Sequence, residues 1–131
     1  MEFDISTTKK TELVDITSKV KNIVEKSGVD NGICTVFVPH ATAAVIINEN
    51  EPKLISDFEK TLTTLLKRSD YKHNKEYGNT EAHLWSILLG PEKTLIIEDG
   101  KVKLGTWQKI FLCELDGPRD YRKVKVKIIE G

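Results

Sequence analysis

Several common sources of stability and of simple function are missing from this chain. It has only two cysteines, Cys34 and Cys113. Each lies inside an apolar run with no CxxC spacing, so buried free thiols in a reducing cytoplasm are expected rather than a disulfide framework. No charge of one sign dominates: Lys plus Arg and Asp plus Glu number 20 each, and the net charge is zero. That balance removes any whole-molecule attraction to nucleic acid or to an anionic membrane. No apolar run approaches the roughly 20 residues needed to span a bilayer, and the opening MEFDISTTKKTELVD lacks the apolar stretch of a signal peptide. Low-complexity tracts, Pro/Gly/Ser linkers and internal repeats are absent as well. What remains is 131 residues, 39% hydrophobic and 31% charged, a globular composition for one domain over 1–131 with a single core. The expected setting is the cytoplasm, with neither nucleic acid nor membrane as partner.

Hydrophobic patterning divides the chain into many strands and a few helices. Glu2 to Thr8 and Leu13 to Ile16 suggest an N-terminal hairpin. Thr17 looks like the N-cap of a helix that presents Val20, Ile23 and Val24 and stops at Gly28. ICTVFV (33–38) and AAVIIN (43–48) are apolar on both faces, as buried strands are. Asn50 and Pro52 announce a helix with Leu54, Phe58, Leu62, Leu65 and Leu66 in a stripe, beside a polar row of Asp57, Thr61, Thr64 and Arg68. Thr80 opens a further helix, EAHLWSILL, ended by Gly90 and Pro91. TLIIE leads into a tight Asp99-Gly100 turn and then KVKLG. WQKIFLCEL is another strand. In RKVKVKII, Val124, Val126 and Ile128 alternate with Lys123, Lys125 and Lys127. Strict βαβ alternation is missing, so the expected class is α+β, with mixed β-sheets packed as a sandwich and a few flanking helices.

Residues suited to chemistry gather at the ends of these elements. His40 shares a strand face with Cys34, Val36 and Val38. Asn48 and Glu49 stand where the next strand stops, and such a junction both fixes and exposes a side chain. His73 and His83 are ten positions apart, unlike the short spacings of zinc motifs. Imidazole nevertheless suits either a divalent ion or a phosphate. Gly105 and Thr106 offer a backbone donor and a hydroxyl. Gln108 and Glu114 share the strand face of Ile110 and Leu112 and would need partners if buried, while Trp107 on the other face suits core packing. Arg122 has the parity of Val124 and Val126, so it points inward and needs a carboxylate, such as Glu114, or a phosphate. Arg119 follows an Asp116-Gly117-Pro118 turn. The lysine row reads as a solvated strand face.

The segments GICTVFVPHATAAVIINEN, DFEKTL, YKHN followed by EAHLWSILLG, and DGKVKLGTWQKIFLCELDGPRDYRKV occur in an order that resembles the YjbQ-like family, over about 32–126. One departure is Ala41, where that family has threonine or serine directly after the first histidine; Thr42 keeps one hydroxyl. The resemblance implies a compact homotrimer whose polar cleft lies between subunits. By matching motif, that cleft would contain His40, Asn48, Glu49, Asp57, His73, His83, Gly105, Thr106, Gln108, Glu114 and Arg119. It further implies thiamine-phosphate synthase activity, joining a hydroxymethylpyrimidine diphosphate to a thiazole phosphate. His40, His73, His83 and Glu49 would be catalytic; Asn48, Gly105, Thr106, Gln108, Glu114 and Arg119 would bind ligand. A divalent ion, Mg or Zn, would sit on His40, His73, His83 and Asp57. The rival expectation is a metal- or anion-binding trimer without synthase activity.

Overall fold

The computed structural model describes residues 1–131. In chain order the elements are β1 (Glu2–Ile5), β2 (Glu12–Asp15), α1 (Thr17–Ser27), β3 (Gly32–Phe37), β4 (Ala43–Asn48), α2 (Pro52–Thr64), a 3-10 turn (His73–Lys75), α3 (Thr80–Leu89), β5 (Glu92–Glu98), β6 (Lys101–Val102), β7 (Lys109–Glu114) and β8 (Arg122–Glu130). The strands form a five-stranded sheet, β1-β8-β3-β5-β6, and a three-stranded sheet, β2-β7-β4. The expected mixed pairing resolves into antiparallel ladders throughout. The α+β class stands.

One core fills the space between the two sheets and α1. Cys34, Val36, Val124 and Val126 come from the larger sheet, Val45, Ile110 and Leu112 from the smaller one, and Val20 and Val24 from α1. The smaller sheet is covered on its other face too. There Ala44, Cys113 and Leu115 pack under Leu62 of α2 and under Ala82 and Trp85 of α3. Its strands β4 and β7 are thus apolar on both sides for a clear reason. The larger sheet is buried on one face only: Cys34 and Val36 are fully enclosed, while Ile33 and Phe37 are over a third exposed. The expectation of a strand buried on both sides over 33–38 is corrected accordingly. Both cysteines are free and buried, and burial raises the Cys34 thiol to about 11.

Other local expectations change with tertiary pairing. The first two strands form no hairpin: β1 pairs with β8 in one sheet and β2 with β7 in the other. Thr17 is the first residue of α1 rather than its cap. Its hydroxyl oxygen instead accepts from Ile110 N at 2.8 Å, tying the helix start to β7. Gly28 does close the helix, at φ 75°, a left-handed conformation that costs glycine little. The N-cap of α2 is Glu51, whose carboxylate accepts from Leu54 N. Of the apolar stripe on α2 only Leu62 is buried, and Leu54 and Leu65 remain exposed. The Asp99-Gly100 turn has both residues at positive φ, the twist that a two-residue hairpin requires.

Candidate functional site

His40 and Arg122 owe their meeting to the register of β3 and β8. Val36 pairs with Val126 and Phe37 with Lys125, and continuing that register sets His40 opposite Arg122. Both have the parity of the core valines, so both turn inward. The contact is direct at the backbone: Lys123 N donates to His40 Nε2 at 2.8 Å.

Arg122 and Glu114 form the ion pair that parity suggested, at 2% and 0% exposure. Arg122 Nε donates to both carboxylate oxygens, at 3.0 and 3.1 Å. Its NH2 group donates to Glu114 and to both oxygens of Thr42. Glu114 also accepts from the Thr7 hydroxyl at 2.6 Å and from Asp116 N at 3.1 Å. Burial pushes its pKa up, but the hydrogen bonds from Arg122, Thr7 and Asp116 outweigh that and hold it below the ordinary carboxylate value. Every lone pair has a donor, which is the condition under which a buried charge is tolerated.

The pKa of His40 is lowered, first by burial and then by the Arg122 charge; the charge of Glu114 opposes this without reversing it. The imidazole is therefore neutral near pH 7. Because its Nε2 lone pair accepts the Lys123 N–H, the ring proton sits on Nδ1.

A hydrogen-bonded relay runs from this pair towards the other histidines. Asp116 is its hub, taking Lys10 Nζ at 2.5 Å, Asn79 Nδ2 at 3.0 Å and Arg119 NH2 at 3.2 Å. Asn79 Oδ1 lies 3.0 Å from His73 Nε2. His73 stacks on Tyr77 with ring centroids 4.6 Å apart, and meets the edge of His83 at 4.9 Å. Two of the three histidines are in contact; His40, whose one hydrogen bond is from Lys123 N, is not bonded to the relay.

The remaining candidates lie elsewhere. Ala43 pairs with Glu114 and Asn48 with Lys109, so Asn48 and Glu49 stand at the opposite end of the small sheet, about 17 Å away at a strand's rise. They help line a groove of about 260 Å³ with Leu13, Ile46, Phe58 and Phe111. Gln108 is not on the strand face of Ile110, because β7 begins at Lys109. Its amide oxygen folds back to accept from Gly105 N at 2.7 Å, which occupies the backbone donor expected for a ligand. Thr106 is exposed beside it. Trp107 is 70% exposed rather than packed in the core. Asp57 lies exposed on α2.

The expected metal set is not assembled within one chain. No three His, Cys, Asp or Glu side chains stand together as an ion would require. His40 is further unsuited, its Nε2 lone pair being engaged and its Nδ1 protonated. Residues the sequence did not place in the site include Thr7, Asn79 and Asp116, of which only Asp116 carried a signal, as the acid of an Asp-Gly-Pro turn beside Arg119. Thr42, noted for the hydroxyl it keeps beside Ala41, uses that oxygen to accept from Arg122. No helix is long and apolar enough to cross a membrane.

Comparison with known proteins accounts for the whole chain. The family described as UPF0047 protein YjbQ-like matches residues 1–131. A UPF0047 protein of Methanothermobacter thermautotrophicus is 44% identical over 128 residues, covering 97% of this chain and 89% of that one. The UPF0047 protein YugU of Bacillus subtilis is 38% identical over 123 residues, covering 88% of each. Among solved structures, a YbjQ-like protein from Sulfolobus solfataricus superposes with a TM-score of 0.97 at 44% identity, over 100% of this chain and 96% of that one. A YjbQ/UPF0047 family protein from Clostridium acetobutylicum gives 0.91 at 45% identity, over 98% and 99%. With matches spanning the relay, the ion pair and both sheets, the chain belongs to the YjbQ-like UPF0047 family.

Proposed function

We propose that this protein is an enzyme acting on phosphorylated small molecules, a thiamine-phosphate synthase whose active site is completed between the subunits of a homotrimer. The observation that carries the reading is the gathering of hydrogen-bond donors at one end of the small sheet. Arg122 holds Glu114 there, Arg119 holds Asp116, and His40 faces Arg122 across the paired strands, while His73 reaches Asp116 through Asn79 and touches His83. Glu49 and Asn48 stand at the sheet's other end, out of reach within one chain. In a trimer the two ends meet across a subunit boundary, giving one cleft with donors on one wall and a carboxylate on the other.

In the condensation, the thiazole ring nitrogen attacks the methylene carbon of hydroxymethylpyrimidine diphosphate. A C–N bond forms as the C–O bond breaks, and the departing diphosphate takes the electron pair. Fixed donors at that leaving group lower the barrier by stabilising the charge it gains. The arginines and His40 supply them, and burial between subunits excludes water. A divalent ion held at that cleft would add to the charge stabilisation, and its ligands would come from more than one subunit, because one chain gathers no three of them.

The test is to incubate the protein at high concentration with both precursors and magnesium, and to measure thiamine phosphate. Formation of product supports the reading. Its absence, alongside retained binding of phosphate, would favour the anion-binding protein without synthase activity.

A further inference from the structure

A guanidinium carries five N–H donors, and the buried pair engages only part of Arg122. Its Nε–H and NH2 group serve Glu114 and Thr42. NH1 donates to no protein atom, although the side chain is only 3% exposed. Thr80 Oγ1 is the one fully enclosed side-chain polar atom without a partner. NH1 is therefore not sealed in, and it meets the small opening that remains to the residue. An arginine held this firmly, with one edge clamped by a carboxylate and the other left free, is set up to receive an anion.

His40 adds a second donor from the facing strand. The Lys123 N–H occupies its Nε2 lone pair at 2.8 Å, which directs the ring proton to Nδ1. Nδ1 in turn has no partner in the protein, and His40 is only partly buried. Arg119, bonded to Asp116 but about half exposed, stands nearby. Counting the relay, the cations Lys10, Arg119 and Arg122 face two carboxylates, Glu114 and Asp116. The excess is positive. A metal ion is disfavoured by the same facts, since a protonated Nδ1 and an engaged Nε2 leave His40 no lone pair to offer.

We propose that Arg122 NH1 and His40 Nδ1–H form an oxyanion subsite that holds a phosphoryl group, with Arg122 a binding residue rather than only half of a structural pair. This rests on the phosphorylated-substrate reading above and names the atoms that would carry it. The group held is the phosphate or diphosphate of a small molecule.

The experiment titrates the intact protein with inorganic pyrophosphate, using calorimetry for affinity and ¹⁵N-resolved NMR of the histidine side chains for location. The expected result is saturable binding that moves the His40 Nδ1 resonance. His40→Ala should weaken binding by roughly tenfold or more, the usual loss for a charge-assisted hydrogen bond. Arg122→Lys, which keeps the charge against Glu114 but removes NH1, should weaken it similarly; if that variant does not fold, His40→Ala and the resonance decide alone. Equal affinity in wild type and His40→Ala, with a stationary His40 resonance, would overturn the subsite and leave the broader reading standing. No binding at millimolar pyrophosphate, or acetate binding as well as pyrophosphate, would also overturn it. Binding through His40 without any thiamine phosphate in the synthase assay would instead retain the subsite and remove the synthase reading.

Discussion

Glu114 is the residue on which the candidate site turns, because Arg122, Thr7 and Asp116 all hold their positions by donating to it. Replacing it with glutamine keeps the size and deletes the charge, leaving Arg122 charged and buried. Glu114→Gln should lower the unfolding free energy by about 3–5 kcal/mol, as for other broken buried pairs, read from urea denaturation at neutral pH. The acid limb should change too. The folded-state pKa of Glu114 lies below its unfolded value, so its stabilisation is complete above about pH 4.5 and is lost as pH falls through the folded value. The variant should show a shallower loss of stability in that range, and an unchanged acid limb would contradict the assignment. Arg122 and its partner were legible in the sequence, because strand parity fixes which way a side chain points. Gln108 and Trp107 were not. Their supposed faces depended on where β7 starts, and the loop before it follows the Gly105–Gln108 hydrogen bond rather than the pleat.

At the level of elements, the turn between β7 and β8 is what brings Asp116 and Arg119 beside the buried pair. Gly117 allows it: a Cβ there would press on Lys9 O and on the Glu114 side chain. Gly117 N also donates to Lys10 O at 3.0 Å, which fixes the segment after β1 against the turn. Gly117→Ala should therefore destabilise the fold by about 1–3 kcal/mol through overcrowding, measured by thermal unfolding. It should also move the Glu114 and Arg122 resonances. A variant as stable as wild type, with those resonances in place, would show that the turn has slack. The same region explains why the N-terminal hairpin was misread. Two short strands joined by a polar turn look local, yet each found a longer partner, β8 or β7, and alternation alone does not say which partner wins. The helix end at Gly28 and the Asp99-Gly100 turn were legible, because left-handed backbone has few residue types that suit it.

Across the whole molecule, the two-layer α+β plan followed from many strands with a few helices. Burial on both faces was correct for β4 and β7 and incorrect for β3. The difference lies in coverage: α2 and α3 lie on the small sheet, while Ile33, Ile96 and Ile129 leave the outer face of the large one open. A sequence shows that a strand is apolar but not what lies over it. The site divides in a similar way. His40, His73, His83, Glu114 and Arg119 fall at one end of the small sheet and Asn48 and Glu49 at the other. The strand over 43–48 already set His40 apart from Asn48, but no pattern in the sequence places His73 and His83 relative to either end. The central claim is that both ends serve one cleft, each contributed by a different subunit. The direct measurement is synthase activity in trimers reassembled from equal amounts of His40→Ala and Glu49→Ala chains, each inactive alone. With two independent subunits per cleft, random mixing restores roughly a quarter of wild-type activity; no recovery in verified mixed trimers would contradict the shared site.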